Sequence, residues 1–195
     1  EIFPPNGITE SDKGKQIIDV GEPDFDNDGD SAEADNVTIR DLTVNGNQQN
    51  QNPSNIGDTY DGHNIEVQGS GFRLENVDSI NSTGDGVELS ADTSATQTSD
   101  ALVTNCRFVN CFEHAIHFHG CHGPTVDGCV LDGDSNNPVV STWTAAADNV
   151  RPTISDSVIK NGQQRGVEIH AATTQTVDGT QQKTRGMVLA HHCRM

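Results

Sequence analysis

The sequence predicts an all-β fold, a parallel β-helix in which each turn of the chain stacks its strands on those of the turn before. Three observations predict it: one strand motif occurs five times, a second strand lies between successive copies, and no stretch shows a helical period. Gly, Asn, Asp and Ser separate the strands throughout, as is typical of turns. A β-sandwich is the alternative, but it rarely repeats one motif so regularly.

The first motif reads apolar, any residue, Asn/Asp/Gly, small or apolar, any residue, apolar. Its copies start at Ile39, Leu74, Val103, Val126 and Ile154. Successive starts lie 35, 29, 23 and 28 residues apart. Asn76, Asn105 and Asp156 occupy equivalent positions, so we expect side chains there to hydrogen-bond from turn to turn.

The second strand alternates apolar residues with Glu or His. Its copies are Asn64–Val67, Gly86–Leu89, Ala115–Phe118 and Gly166–Ile169, with a blurred copy near Val139–Trp143. The alternation places the apolar residues inside and the polar ones outside. Glu66, Glu88 and His117 are therefore predicted to form a row with steps of about 4.8 Å.

The charge of the chain excludes several classes of partner. Acidic residues outnumber basic ones by 29 to 11, which gives a formal net charge of −18. This field repels nucleic acids and anionic membrane surfaces, and no apolar run is long enough to span a bilayer. The many Asp and few Lys residues predict a protein adapted to high salt, where screening removes the cost of self-repulsion.

Two segments carry a resemblance to a known group. The run Asn36–Asn47 and the hexapeptide Gly84–Leu89 resemble right-handed parallel β-helix proteins of the pectin-lyase-like superfamily. The resemblance implies a right-handed single-stranded coil over residues 36–195. That superfamily includes polysaccharide lyases, glycoside hydrolases, epimerases, viral tailspikes and inert modules. The hydrolase signatures Asn-Thr-Asp, Gly-His-Gly and Arg-x-Lys do not occur here, so no catalytic residue is carried over from it.

The polar row supplies the candidate catalytic residues Glu66, Asp85, Glu88 and His117. Glu66 and Glu88, one turn apart, suit a retaining glycosidase pair, which needs about 5 Å, and His117 is a candidate base. Glu168 lies three turns from Glu88, too far for such a pair. A solvated polar face of an acidic protein is the alternative interpretation.

Further polar residues on the same face are predicted to bind substrate. They are His119, Glu168, His170 and Arg165. His117 and His119 lie on the same side of one strand, so a transition metal is also considered there, with His114 or His122 and a neighbouring Glu as further ligands.

An acidic segment near the start of the chain matches the spacing of a calcium loop. Oxygen ligands are expected at positions 1, 3, 5, 7 and 12, with Gly29 at position 6. The predicted Ca²⁺ ligands are Asp24, Asp26, Asp28, Asp30 and Asp35. No flanking helices are predicted, so the segment is not an EF-hand.

The cysteines divide into two kinds by position. Cys106 and Cys129 fall at the same inward position of adjacent turns, where packing is favoured over a bridge. Cys111 and Cys121 lie in turns and are the better disulfide candidates.

These observations lead to two hypotheses for function. The first is an extracellular protein that binds a polysaccharide and cleaves it. The second is a non-catalytic tail-fibre, tailspike or turret module of a virion that recognises a host cell surface. In both, residues 1–35 form a lead-in segment and residues 36–195 the β-helix. We expect a fragment of a longer chain, whose ends are capped in a homotrimer or another assembly.

Overall fold

The computed structural model describes residues 17–21, 34–51, 62–90, 100–119, 121, 123–132, 140–143, 152–161, 166–169, 176–178, 181–183 and 189–190. Seven strands of this part form one sheet, hereafter the site sheet. They are β1 (Ile18–Val20), β3 (Ile65–Val67), β5 (Val87–Ser90), β8 (Ile116–His119), β11 (Val140–Trp143), β14 (Val167–Ile169) and β17 (Leu189–Ala190).

The remaining described strands form the second sheet, which bends. They are β2 (Thr38–Asn45), β4 (Arg73–Ile80), β6 (Leu102–Thr104), β7 (Arg107–Val109), β9 (Thr125–Asp127), β10 (Val130–Asp132), β12 (Thr153–Ser155), β13 (Val158–Lys160), β15 (Thr176–Asp178) and β16 (Gln181–Lys183). A short 3-10 helix, Gln48–Asn50, follows β2.

Every strand pair in the described part of the chain is parallel, and the pairing order is that of a coil. In the site sheet, β3 pairs with β5, β5 with β8 and β8 with β11. In the second sheet, Arg73–Glu75 of β4 pairs with β6, whereas Asp78–Ile80 pairs with β7. Each turn therefore presents three strand segments, and the predicted all-β parallel β-helix is confirmed.

The bend in the second sheet is made by residues in the left-handed region. The equivalent positions on five turns are Asp41, Asn76, Asn105, Gly128 and Asp156, with φ of 57°, 55°, 53°, 63° and 45°. Asn, Asp and Gly are the residues that adopt this conformation most readily. The Nδ2 of Asn76 donates to Oδ1 of Asp41 at 2.8 Å, so the turn-to-turn hydrogen bond predicted for Asn76 is present.

A second ladder of amides runs along the other edge of the same sheet. Asn81 donates through Nδ2 to Oδ1 of Asn45 at 3.1 Å and accepts at Oδ1 from Asn110 Nδ2 at 2.8 Å. Further along the coil, Asn161 donates to Asp132 at 2.6 Å. Asn81, Asn110 and Asn161 also have positive φ, so each amide stabilises both a turn and the stacking between turns.

The interior of the coil is a stack of apolar side chains with no exposure. It includes Ile65, Leu74, Val87, Leu89, Val103, Phe108, Ile116, Phe118, Val126, Leu131, Ile154 and Ile159. Because the strands are parallel and in register, each of these side chains lies on its equivalent in the next turn. Burial of each contributes about 1.5–3 kcal/mol.

The four cysteines of the described residues are buried, and none of them forms a disulfide. Cys106 N–H donates to Sγ of Cys129 at 3.4 Å across one turn, so the predicted packing of this pair is confirmed. The prediction of a disulfide at Cys111 and Cys121 is wrong. Cys111 points into the coil, where its Sγ lies 2.9 Å from the place of a Cβ on Gly86.

Strand β1 belongs to the segment predicted as a lead-in, yet it pairs in register with β3 and extends the site sheet by one strand. Among the described residues there is no helix with the length and apolar character that crossing a membrane would need.

We expect the substitution Asn81→Ala to destabilise the fold by about 3 kcal/mol, because it removes two amide hydrogen bonds at about 1 kcal/mol each and leaves a Cβ residue in the left-handed region at a cost of about 1 kcal/mol. Asn81→Gly also removes the amide but fits the backbone, so it is expected to be more stable than Asn81→Ala by about 1 kcal/mol. Urea unfolding measures both. Equal stability of parent and Asn81→Ala would contradict the stabilising role of the ladder.

Candidate active site

The strand register places the polar residues of the site sheet in one row. Glu66 pairs with Glu88, and Glu88 pairs with His117. Through Ser141, the same row reaches Glu168 after two further turns. We call Glu66, Glu88 and His117 the central row.

A second row lies three residues before the central row on each turn, and we call it the flanking row. Its members are His63, Asp85 and His114, which precede Glu66, Glu88 and His117 respectively. Sequence analysis singled out Asp85 and His114 but missed His63. The shared offset of three residues is the signal that identifies it.

Asp85 is the centre of the cluster and has no solvent exposure. Its Oδ1 accepts hydrogen bonds from the backbone N–H of His114 at 2.7 Å and from His114 Nδ1 at 2.8 Å. Its Oδ2 lies 3.2 Å from Nδ1 of His117 and 3.5 Å from Nδ1 of His63. One buried carboxylate thus contacts three imidazoles, one from the previous turn of the coil and two from the next.

The backbone around Asp85 is fixed by glycines and by hydrogen bonds. A Cβ on Gly86 would approach the carbonyl oxygen of Ala115 to 2.6 Å, and one on Gly84 would lie 3.1 Å from His63 Nδ1. Ser82 Oγ donates to the carbonyl of Asp85 at 2.6 Å. These glycines permit the close approach of three turns that brings the imidazoles to one carboxylate.

Glu88 is the second carboxylate of the cluster. Its Oε2 lies 2.9 Å from His63 Nε2 and 3.7 Å from His117 Nδ1. The exposed fraction of the side chain is 13% for both Glu88 and His117, whereas the whole residue Glu66 is 5% exposed. The central row is therefore mostly covered, and the alternative of a solvated polar face does not describe it.

Two members of the cluster have strongly displaced pKa values. Burial of His117 opposes its charge, but the contacts with Asp85 and Glu88 outweigh burial and raise its pKa to about 10. Burial likewise opposes ionisation of Asp85, yet the charge and hydrogen bond of His114 hold the pKa of Asp85 well below its usual range. At neutral pH Asp85 is therefore ionised and His117 is protonated, so a carboxylate lies beside an imidazolium.

Opposing effects act on His63. Burial disfavours its charge, whereas Glu88, Asp85 and Glu66 favour it. The backbone N–H of Asp85, however, donates to Nδ1 of His63 at 3.0 Å, which requires a lone pair on Nδ1. Protonation of Nδ1 would break this bond, so we assign the neutral ring, whose Nε2–H donates to Glu88.

Several predicted site residues lie outside the described residues or lack a described side chain. His119 of β8 and Glu168 of β14 are described by their backbone alone. The other residues, Arg165, His170, Asp24, Asp26, Asp28 and Asp30, are outside the described ranges. Of the predicted calcium ligands, Asp35 is described. It is exposed, and its Oδ1 accepts a hydrogen bond from the N–H of Ser70 at 2.8 Å.

Comparison with protein families gives one match that covers most of the chain. Residues 29–183 match the model of the right-handed β-helix region. The chain therefore belongs to the right-handed β-helix family, in agreement with the parallel coil described above. No curated protein and no solved structure shows significant similarity to it.

The pKa of His117 predicts that stability falls in alkaline solution. Its folded pKa of about 10 exceeds the unfolded value of 6.5, so its contribution is complete below pH 6.5 and is lost as the pH rises through 10. Asp85 acts oppositely: its contribution is present above its unfolded value of 3.8 and is lost at lower pH.

Urea unfolding in metal-free buffer at pH 6, 8 and 10 measures this dependence, and His117→Gln is expected to flatten it. A parent whose stability is unchanged from pH 6 to 10 would contradict the assignment of the proton to His117.

Proposed function

We propose that the chain is an extracellular glycan-cleaving β-helix protein, which hydrolyses a polysaccharide bound along the site sheet. One observation carries the proposal: a fully buried carboxylate, Asp85, holds His117 beside Glu88 at the surface of the coil. Apolar side chains, backbone hydrogen bonds and the asparagine ladders of the second sheet stack the turns, and none of these needs a buried charge. Buried, paired charges add little or nothing to stability over apolar side chains, which favours a chemical role for them.

Exposure separates the residues that contact substrate from those that position them. His117 and Glu88 each retain 13% exposure, so they are the proposed catalytic residues. Asp85 and Glu66, with exposures of 0% and 5%, act as positioning residues. The burial of Glu66 favours a His117–Glu88 pair over the Glu66–Glu88 carboxylate pair that the row spacing alone suggests.

The contacts assign a role to each member of the pair. The imidazolium of His117 donates a proton to the glycosidic oxygen while the bond from this oxygen to the anomeric carbon breaks. Because Glu88 lies 3.7 Å from His117, it serves the same face of the sugar. After the leaving group has departed, a water molecule that takes its place attacks the anomeric carbon and gives its proton to the carboxylate of Glu88, which the Nε2–H of His63 orients. Transfer of a proton from Glu88 back to His117, directly or through water, restores the starting state.

The charge of the chain restricts the substrate. A net charge of −18 repels polyanionic uronate polymers, and β-elimination requires a carboxyl group beside the proton that is removed. Both points favour hydrolysis of a neutral glycan over a lyase reaction. His119, Glu168, Arg165 and His170 are proposed to contact the glycan further along the face.

Other parts of the proposal follow from the sequence. We propose that the protein is extracellular or lies on a virion surface, where a glycan substrate is found. We also propose that it is adapted to high salt and that the acidic segment 24–35 holds a Ca²⁺ ion. An assembly such as a homotrimer would protect the ends of the coil.

The test is a panel of neutral and uronate polysaccharides, assayed for new reducing ends and for the ultraviolet absorbance of unsaturated products. Glu88→Gln and His117→Gln are each expected to lower the rate by about 10²–10⁴-fold while glycan binding survives. Asp78→Asn is the matched control, because Asp78 is paired with Arg107 at 2.8 Å on the second sheet, away from the cluster.

The assays distinguish hydrolysis, elimination and binding without cleavage. Reducing ends without unsaturated products support hydrolysis, whereas unsaturated products identify a lyase. Full activity of Glu88→Gln on a substrate that the parent cleaves would refute the site. Binding without cleavage of any glycan by the parent would refute the enzyme and favour a recognition module on a virion.

A further inference from the structure

We propose that Asp85, His114 and His117 form a binding site for one divalent transition-metal ion. Each of these residues offers a ligand atom, and the three atoms lie within 4.8 Å of one another. Two imidazoles and one carboxylate are a ligand set that suits Zn²⁺, Fe²⁺ and Co²⁺. The proposal differs from the pair His117 and His119 considered from the sequence, because the third ligand is the buried Asp85.

The distances between ligand atoms fit a metal centre. Metal–ligand bonds of about 2.0–2.1 Å place neighbouring ligand atoms about 2.9 Å apart in octahedral and about 3.3 Å apart in tetrahedral geometry. Asp85 Oδ1 lies 2.8 Å from His114 Nδ1, and Asp85 Oδ2 lies 3.2 Å from His117 Nδ1. The ring centroids of the two histidines are 4.8 Å apart. Each imidazole nitrogen thus lies at such a distance from one oxygen of Asp85, and small shifts of these side chains would bring both nitrogens and the carboxylate to one ion.

The carboxylate of Asp85 supplies an independent observation. Its Oδ1 accepts two hydrogen bonds, whereas its buried Oδ2 accepts none of good geometry among the described residues and has only the longer contacts with Nδ1 of His117 at 3.2 Å and of His63 at 3.5 Å. A buried carboxylate oxygen without a donor carries a large desolvation cost. A cation bound at this oxygen would remove that cost.

His63 and Glu88 belong to the surroundings of the ion and not to its ligands. The lone pair on Nδ1 of His63 already accepts the N–H of Asp85, and its Nε2–H donates to Glu88. Hydrogen bonds of this kind orient the groups around a metal and tune its affinity. Glu88 is therefore left beside the ion as the base, which is the role assigned to it above. In the metal-bound form His117 would be a neutral ligand, so the ion would replace its imidazolium as the electrophilic group.

An ion with three protein ligands keeps at least one position open for water. Such a position is typical of catalytic metal sites, because the metal lowers the pKa of the bound water and makes it a nucleophile near neutral pH. In this protein the water would lie beside Glu88. The metal site does not depend on the identity of the substrate.

The experiment titrates the metal-free full chain with Co²⁺ and then displaces Co²⁺ with Zn²⁺. We expect one Co²⁺ per chain with a visible spectrum that shows imidazole ligation, and displacement by one Zn²⁺. In Asp85→Asn and in His114→Gln, the affinity is expected to fall by more than the 10–100-fold typical of losing an outer hydrogen-bond partner. Asp78→Asn makes the same change of charge on the second sheet and is expected to bind as the parent does.

Circular dichroism and thermal unfolding verify that each variant is folded. If Asp85→Asn does not fold, His114→Gln and His117→Gln still decide the question. A parent that binds Co²⁺ through oxygen ligands alone, or a His114→Gln variant with parental affinity, would overturn the proposal.

The two proposals are tested separately, since metal binding is read without substrate. Glu88→Gln is expected to retain a bound ion while it loses glycan cleavage. Chelator and added Zn²⁺ in the cleavage assay then show whether hydrolysis uses the ion.

Discussion

In-register parallel pairing between successive turns is the constraint on which the rest of the structure depends. It places Glu66, Glu88 and His117 at equivalent backbone positions, although 22 and 29 residues of chain separate them. A slip of one residue on any turn would bury a polar residue and expose an apolar one. The apolar stack inside and the asparagine ladders at the bends both oppose such a slip, so the core also fixes the geometry of the site.

The sequence was sufficient for the fold and for the central row, because both depend on a period that recurs in the residues themselves. The sequence did not predict which of the polar side chains contact one another. His63 was missed because it precedes its strand, and only the approach of three turns reveals that Asp85 joins three imidazoles. The cysteines show the same limit: Cys111 and Cys121 follow turn residues in the sequence, yet both side chains are buried in the coil.

Burial of the outward positions is the second property that periodicity does not predict. An alternating strand predicts polar side chains in solvent, but Glu66 is only 5% exposed. The alternation specifies which side of the sheet a side chain occupies, but it does not specify whether that side chain is exposed to solvent. A covered face has a lower effective dielectric, which strengthens the interactions among the charges within it.

The free-energy cost of burying the charge of Asp85 shows why the residues of the cluster must be considered together. A buried carboxylate is tolerated only when it is paired and hydrogen-bonded, and Asp85 receives both from His114. Because His114 and His117 lie on the next turn and His63 on the previous one, the charges also couple three turns of the coil. The stack of buried apolar side chains stabilises the fold and so offsets the free-energy cost of burying Asp85. The same stack holds Glu88 and His117 with little freedom. Side chains held on strands in this way are positioned more accurately than side chains on loops, which is what a preorganised acid–base or metal site requires.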